Sequence, residues 1–155
     1  MNTVKSWVGR MSATLRWGGP MALALAVGAL APAQAAVVVV GQVAPLSGVL
    51  ASTGAQMVLG GKIYFDWVNA QGGVHGASIR QAVADDGYKV ADTVTRTREL
   101  LAKPEVVALY GFAGTANITQ LLADGVLEQG GAALVAPYTG GESLRNPFNP
   151  WIFHV

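Results

Sequence analysis

Two histidines, two adjacent aspartates, one Gly-Gly-Lys triplet and a scatter of hydroxyls are what this sequence of 155 residues offers for chemistry. His75 lies in the glycine turn QGGVHG (71–76) and His154 near the chain end, so neither is set beside a nucleophile it could activate. Asp85 and Asp86 follow an apolar run. Adjacent carboxylates can divide acid and base work, but Gly87 directly after them marks a turn with one solvated acid. The triplet at 60–62 fails as a phosphate loop: Gln56 stands where the first glycine belongs, and Ile63 replaces the Ser or Thr that follows the lysine. Asn117-Ile118-Thr119 matches a glycosylation acceptor but opens a helix-like stretch. There is no H-E-x-x-H, no cysteine and no G-x-S-x-G, so neither a metal, a cofactor nor a catalytic activity is expected.

The remaining polar chemistry sits in three loops and is almost all hydroxyl and main-chain. The loops are APLSGVLASTG (44–54) with Ser52 and Thr53, GFAGTANIT (111–119) with Thr115, and PYTGGES (137–143), all with hydroxyls and glycines. None contains a basic residue. Hydroxyls and free main-chain N–H groups suit a small neutral or anionic molecule held by hydrogen bonds. The first two loops run into helices, whose first turns have unsatisfied donors and a partial positive charge that accepts a carboxylate. The competing reading is that Ser52, Thr53 and Thr115 are simply N-caps.

The elements that must position these loops alternate. Apolar, β-branched runs at 37–43, 78–84, 105–111, 131–137 and 151–155 predict strands. Between them, spacings of three and four predict amphipathic helices. Met57, Gly61, Tyr64, Phe65 and Val68 define the inner face over 55–69. Val90, Val94, Thr97 and Leu101 do so over 90–103, and Ile118, Leu121, Leu122 and Val126 over 117–129. Pro104 stops the second helix. Gly60 and Gly61 permit close helix packing, and Trp67 and Trp151 are packing residues. The order β-α-β-α-β-α-β-loop-β is that of an α/β fold, a doubly wound parallel sheet with helices on both faces. In such sheets ligands bind at the carboxyl ends of the strands where the strand order reverses, which is where the three loops fall.

The front of the chain reads differently. Lys5, Arg10 and Arg16 precede the apolar run Met21 to Ala31, and Ala33 and Ala35 have the A-x-A spacing of a signal peptidase site. An 11-residue run is too short to span a bilayer, which needs about 20 residues. Residues 1–35 are therefore expected to be a cleaved signal peptide. The remainder, 36–155, holds seven Lys plus Arg and nine Asp plus Glu, with no basic patch, so nucleic acid is not an expected partner. An exported domain without cysteine must be stabilised by its core alone.

VGQVAPLSGVLASTGAQMVLGGKIYFDWVNAQGGVHG, VADDGYKVADTVTRTRELL and VVALYGFAGTANI together resemble the periplasmic leucine/isoleucine/valine-binding-protein family, type I solute-binding receptors of ABC amino-acid importers. The most specific parts are the PLSG loop, the VNAQGGVHG helix end and the DDGY turn, and the resemblance covers 37–155. It implies two α/β lobes closing on a ligand, a membrane ABC permease as partner, a periplasmic location and no catalysis. It places the ligand's carboxylate and ammonium at Ala113, Thr115, Tyr138, Thr139 and Gly140, and its side chain along Ser52 and Thr53. Only Thr115 and Asn117 provide polar side chains in GTAN, Tyr138 is bulkier than the family's usual small residue, and a common cysteine pair is missing. These departures leave the ligand open between a branched-chain amino acid and an aromatic, amide-bearing or carboxylic-acid molecule. On this reading 36–155 is the first segment of the first lobe, without the second. Alone it is expected to bind weakly and to expose apolar surface. A ligand-sensing regulatory receptor of the same fold is the alternative role.

Overall fold

The computed structural model describes residues 36–155, so the expected signal peptide at 1–35 lies outside the described residues. β1, Val37–Ala44, opens with four valines and passes from exposed to fully buried along its length. Its successors are α1 (Ala51–Ala70), β2 (Ser78–Asp85), α2 (Val90–Leu101), β3 (Val106–Tyr110), α3 (Thr115–Ala123), α4 (Val126–Gly130), β4 (Leu134–Val135) and β5 (Ile152–Phe153). The strands form one sheet in the order β2-β1-β3-β4-β5, and every pairing is parallel.

Chain direction across the sheet fixes the layers. The step from β1 to β2 goes one way; every later step goes the other. Right-handed crossovers then put α1 on one face and α2, α3 and α4 on the opposite face. The α/β doubly wound arrangement expected from the sequence is thus present, with its reversal point between β1 and β3. The core lies mainly under α2–α4, where Leu109, Phe112, Ile118, Leu121, Leu127 and Leu134 are fully buried. Each such burial contributes roughly 1.5–3 kcal/mol of transfer free energy.

Several elements depart from their predicted bounds. α1 starts at Ala51 rather than 55, after a 3₁₀ turn at Gly48–Leu50, so Ser52 and Thr53 belong to its first turn and not to a loop. The single helix expected over 117–129 is two, α3 and α4, because Gly125 takes a left-handed conformation (φ 62°) between them. β4 and β5 pair over only two residues each, against seven and five expected. Apolar runs signal burial, but the loop-rich segment between these strands makes few ladder bonds. On α1, Tyr64 points outward with Leu59, Ile63 and Trp67, all close to half or more exposed, and Tyr64 and Trp67 stack at 5.9 Å. The helix is apolar around most of its circumference, so periodicity could not choose the inner face.

Gly54 and Gly61 are the only fully buried residues of α1 and set how closely it approaches the sheet. A Cβ on Gly54 would lie 2.0 Å from the Pro45 carbonyl oxygen, and one on Gly61 would lie 2.9 Å from the Tyr110 ring. Gly60, expected to help the packing, faces open space. At the far end of α1 the Asn69 amide bonds both main-chain groups of Ile79 on the edge strand β2: Ile79 N donates to Oδ1 (2.7 Å) and Nδ2 donates to the Ile79 carbonyl (2.8 Å).

Two glycine substitutions should therefore diverge. Gly54→Ala forces backbone against backbone and is expected to destabilise by more than ~2 kcal/mol. Gly60→Ala meets nothing and should stabilise by about 0.5–1 kcal/mol through helix propensity. Denaturant unfolding of both variants checks the contrast.

Candidate functional site

The carboxyl ends of β1 and β3 meet at the reversal point, and a polar side chain is buried there. Gln42, on β1, is fully buried. Its Nε2 donates to the Gly111 carbonyl at 3.1 Å, and its Oε1 accepts from Gln81 Nε2 of β2. The amide thus ties β1 to the middle of β2 and to the end of β3. The β3–α3 loop leaves Gly111 and is joined to the β4 side by a parallel bridge between Ala113 and Tyr138. Gly114 N donates to the Tyr138 carbonyl (3.2 Å), and Tyr138 N donates to the Phe112 carbonyl (2.7 Å). Beyond this bridge the Thr115 and Thr139 hydroxyls share a 2.7 Å hydrogen bond, and Thr139 Oγ1 also accepts from Gly141 N (3.1 Å).

These groups line an open concavity of about 740 Å³, within the usual size range of small-molecule sites. Ala113, Thr115, Tyr138, Thr139 and Gly140, all singled out from the sequence, lie along it together. Ser52 and Thr53 do not; the α1 side is made by Leu50 and Met57. The earlier start of the helix is the reason. It fixes Ser52 and Thr53 in a regular turn and leaves the longer neighbours to reach the cavity.

The capping alternative fails at both helices. The N-cap positions of α1 and α3 are Leu50 and Gly114, and neither makes a side-chain cap bond. Gly114 has φ 97°, and a Cβ there would meet Asn117 Oδ1 at 2.6 Å and the Tyr88 ring at 2.8 Å. The first turn of α3 therefore keeps its main-chain N–H groups free of side-chain caps beside the concavity, where the helix dipole favours negative charge.

Four lining residues with long polar side chains escaped the sequence reading. Gln42 had a signal: one polar residue inside VVVVGQV must be hydrogen-bonded if the strand is buried. Tyr88 sits in the DDGY turn, which was read for its carboxylates. Tyr110 ends β3 and reads as core. Arg145 lies beyond the third loop, and its guanidinium donates to the carbonyls of Gly141 and Thr139, both at 3.1 Å. It is the one charged side chain along the concavity among the described residues, and it folds the 139–145 segment back on itself. No cluster of His, Cys, Asp or Glu that could hold a metal occurs among the described residues.

The aspartate pair behind the site does structural work. Asp86 is buried; its Oδ1 accepts from Tyr88 N (2.9 Å) and its Oδ2 from the Thr93 hydroxyl (2.5 Å). Asn117 Nδ2 in turn donates to Thr93 Oγ1 (2.7 Å), so one polar chain ties the β2–α2 turn and α2 to α3. Asp85 is exposed, and its Oδ1 accepts from the main-chain N–H groups of Leu46, Ser47 and Gly87 at 2.8–3.2 Å. His75 occupies a left-handed turn position (φ 50°), and His154 Nε2 donates to the Leu144 carbonyl (3.1 Å).

A parallel sheet whose reversal point opens into a ligand-sized hollow, walled by hydroxyls and main-chain donors, is the architecture of a solute-binding domain. The chain belongs to the periplasmic binding protein family, whose model matches residues 37–155. That family binds solutes and implies a periplasmic location. A substrate-binding periplasmic protein from Ralstonia solanacearum is similar in structure, with 38% identity and a TM-score of 0.73 over 76% of this chain and 33% of its own. A possible leucine/isoleucine/valine-binding protein from Rhodopirellula baltica has 26% identity and a TM-score of 0.68 over 76% of this chain and 31% of its own. A fatty acid ABC transporter substrate-binding protein from Thermomonospora curvata has 25% identity and a TM-score of 0.67 over 76% of this chain and 28% of its own. This chain thus spans about a third of their length. No curated protein matches it. The resemblance read from the sequence is borne out at the level of the family.

The Asp85 clasp gives a pH test. The Ser47 side chain, then the N–H of Gly87, hold its carboxyl below the ordinary carboxylate range. A depressed folded-state value means the clasp stabilises fully above the unfolded pKa, about 3.9, and the contribution is lost as pH falls through the folded value. Asp85→Asn should cost about 1 kcal/mol at pH 7, the low end for a charged acceptor because the group is solvent-screened. The difference from wild type should shrink below about pH 4, read by thermal melts across pH 3–7.

Proposed function

We propose that the chain supplies one wall of the ligand cleft of an ABC importer's substrate-binding protein, for an amino acid or a related small molecule. The Thr115–Thr139 hydroxyl pair beside the uncapped start of α3 carries this reading. Two hydroxyls on separate loops, locked to each other by the Ala113–Tyr138 bridge, present fixed oxygens to the same hollow. A carboxylate placed there would accept from hydroxyls and from the first-turn N–H groups of α3, in a positive field that needs no lysine.

On this reading residues 36–155 form the first segment of the first lobe, and a second lobe supplies the opposing wall. Lobe closure would exclude water and present the loaded protein to a membrane permease. That the relatives are named as substrate-binding proteins for different solutes, a possible leucine/isoleucine/valine binder and a fatty acid binder, supports the general role without selecting a ligand. Residues 1–35 would direct export as a cleaved signal peptide.

Thr115→Val keeps the methyl that packs against Gly141 and deletes the hydroxyl. In the full-length protein it is expected to weaken ligand binding at least tenfold, about 1.4 kcal/mol, with the melting temperature unchanged. Calorimetric titration with the best ligand of a thermal-shift screen measures this. An unaltered Kd removes Thr115 from the site.

A further inference from the structure

We propose that the hollow is built for an aromatic carboxylate, with Tyr88 as the residue that selects the ring. This rests on the solute-binding reading above and deepens it. Three of the four tyrosines in the sequence, Tyr88, Tyr110 and Tyr138, line the concavity, with Leu50 and Met57 as their apolar neighbours. No acidic side chain lines it among the described residues. Aromatic rings prefer the edges and faces of other rings, and a thioether adds a polarizable contact. A surface so composed favours a flat π-system over a branched aliphatic chain.

Packing accounts for Tyr110, whose ring meets Phe65 edge-on at 5.5 Å. It does not account for Tyr88. That residue has φ 62°, a left-handed conformation unfavourable for a bulky side chain. Full burial does not repay the cost, since Tyr88 stays 38% exposed and lies along the hollow. The conformation is imposed by the buried Asp86 carboxylate, which accepts from Tyr88 N and is itself fixed by Thr93 and Asn117. Gly114 then leaves room for the ring beside the start of α3. Ala136, the other non-glycine lining residue with positive φ, is at 52°. Backbone strain held by a buried network and spent on an exposed ring at a ligand-sized hollow points to recognition. The ring lies next to the α3 N–H groups, so an acid group and a flat ring can be engaged together, as in a benzoate, a phenylacetate or an aromatic amino acid.

The test is calorimetric titration of the full-length protein with leucine, isoleucine, phenylalanine, octanoate, phenylacetate and 4-hydroxybenzoate. An aromatic member is expected to bind tightest, at least tenfold above the aliphatic member of its class. Tyr88→Asn removes the ring while keeping a residue tolerant of positive φ. It should weaken the best aromatic ligand at least tenfold, whereas Tyr88→Phe should stay within twofold. If leucine, isoleucine or octanoate binds tightest, the aromatic assignment is overturned and the solute-binding reading stands. Full aromatic affinity in Tyr88→Asn also overturns it. Binding of none of the six overturns the aromatic assignment alone. The ranking on wild type decides the matter even if the variant does not fold.

Discussion

A buried amide must find partners, and Gln42 finds them in the two strands that flank it. Leaving such a group unpaired costs about 1–3 kcal/mol, so the placement of β2 and of the carboxyl end of β3 beside β1 is tightly specified. That end of β3 is where the loop begins. Gly111, whose carbonyl accepts from Gln42, is the first residue of the segment that bridges to Tyr138 and starts α3. The hollow is thus anchored to the sheet through hydrogen bonds rather than through apolar contact alone, and its main-chain donors keep their places before any ligand arrives. Preorganisation of this kind lowers the entropic cost of binding.

The second polar chain, Asp86–Thr93–Asn117, does for the helices what Gln42 does for the strands. It joins α2 to α3 through atoms that are almost entirely buried. A carboxylate in such a place is tolerated because its oxygens accept from an N–H and a hydroxyl. The two networks approach the hollow from different sides, one through Gly111 and one through Tyr88 and Gly114. Between them they fix both the floor and one wall.

Much of this was legible in the sequence. β-branched runs alternating with helical periods specified the doubly wound sheet, and the rule that ligands sit at the reversal point selected loops that border the hollow. Thr115 and Thr139 come together because Ala113 and Tyr138 pair, an event no local pattern announces. Ser52 and Thr53 were misplaced because a helix start was judged from apolar spacing, which α1 carries on nearly every side. Tyr88 was hidden for a different reason. Its place along the hollow goes with a backbone conformation held by a carboxylate two residues earlier and a hydroxyl seven residues after that, a three-body arrangement that composition does not reveal. Gly125 illustrates the same limit, since amphipathic period ran through it while a left-handed turn divided the helix in two.

The paired bonds from Asn69 to Ile79 have a meaning for the molecule's life in solution. β2 is an outer strand, and Ile79 turns its N–H and C=O away from β1. One carboxamide occupies both, as a neighbouring strand would. An unguarded outer strand is a template for another chain to join, and here its leading end is already taken. The last turn of α1, which carries Asn69, thus acts as a stopper against sheet-to-sheet clumping at that end of the strand.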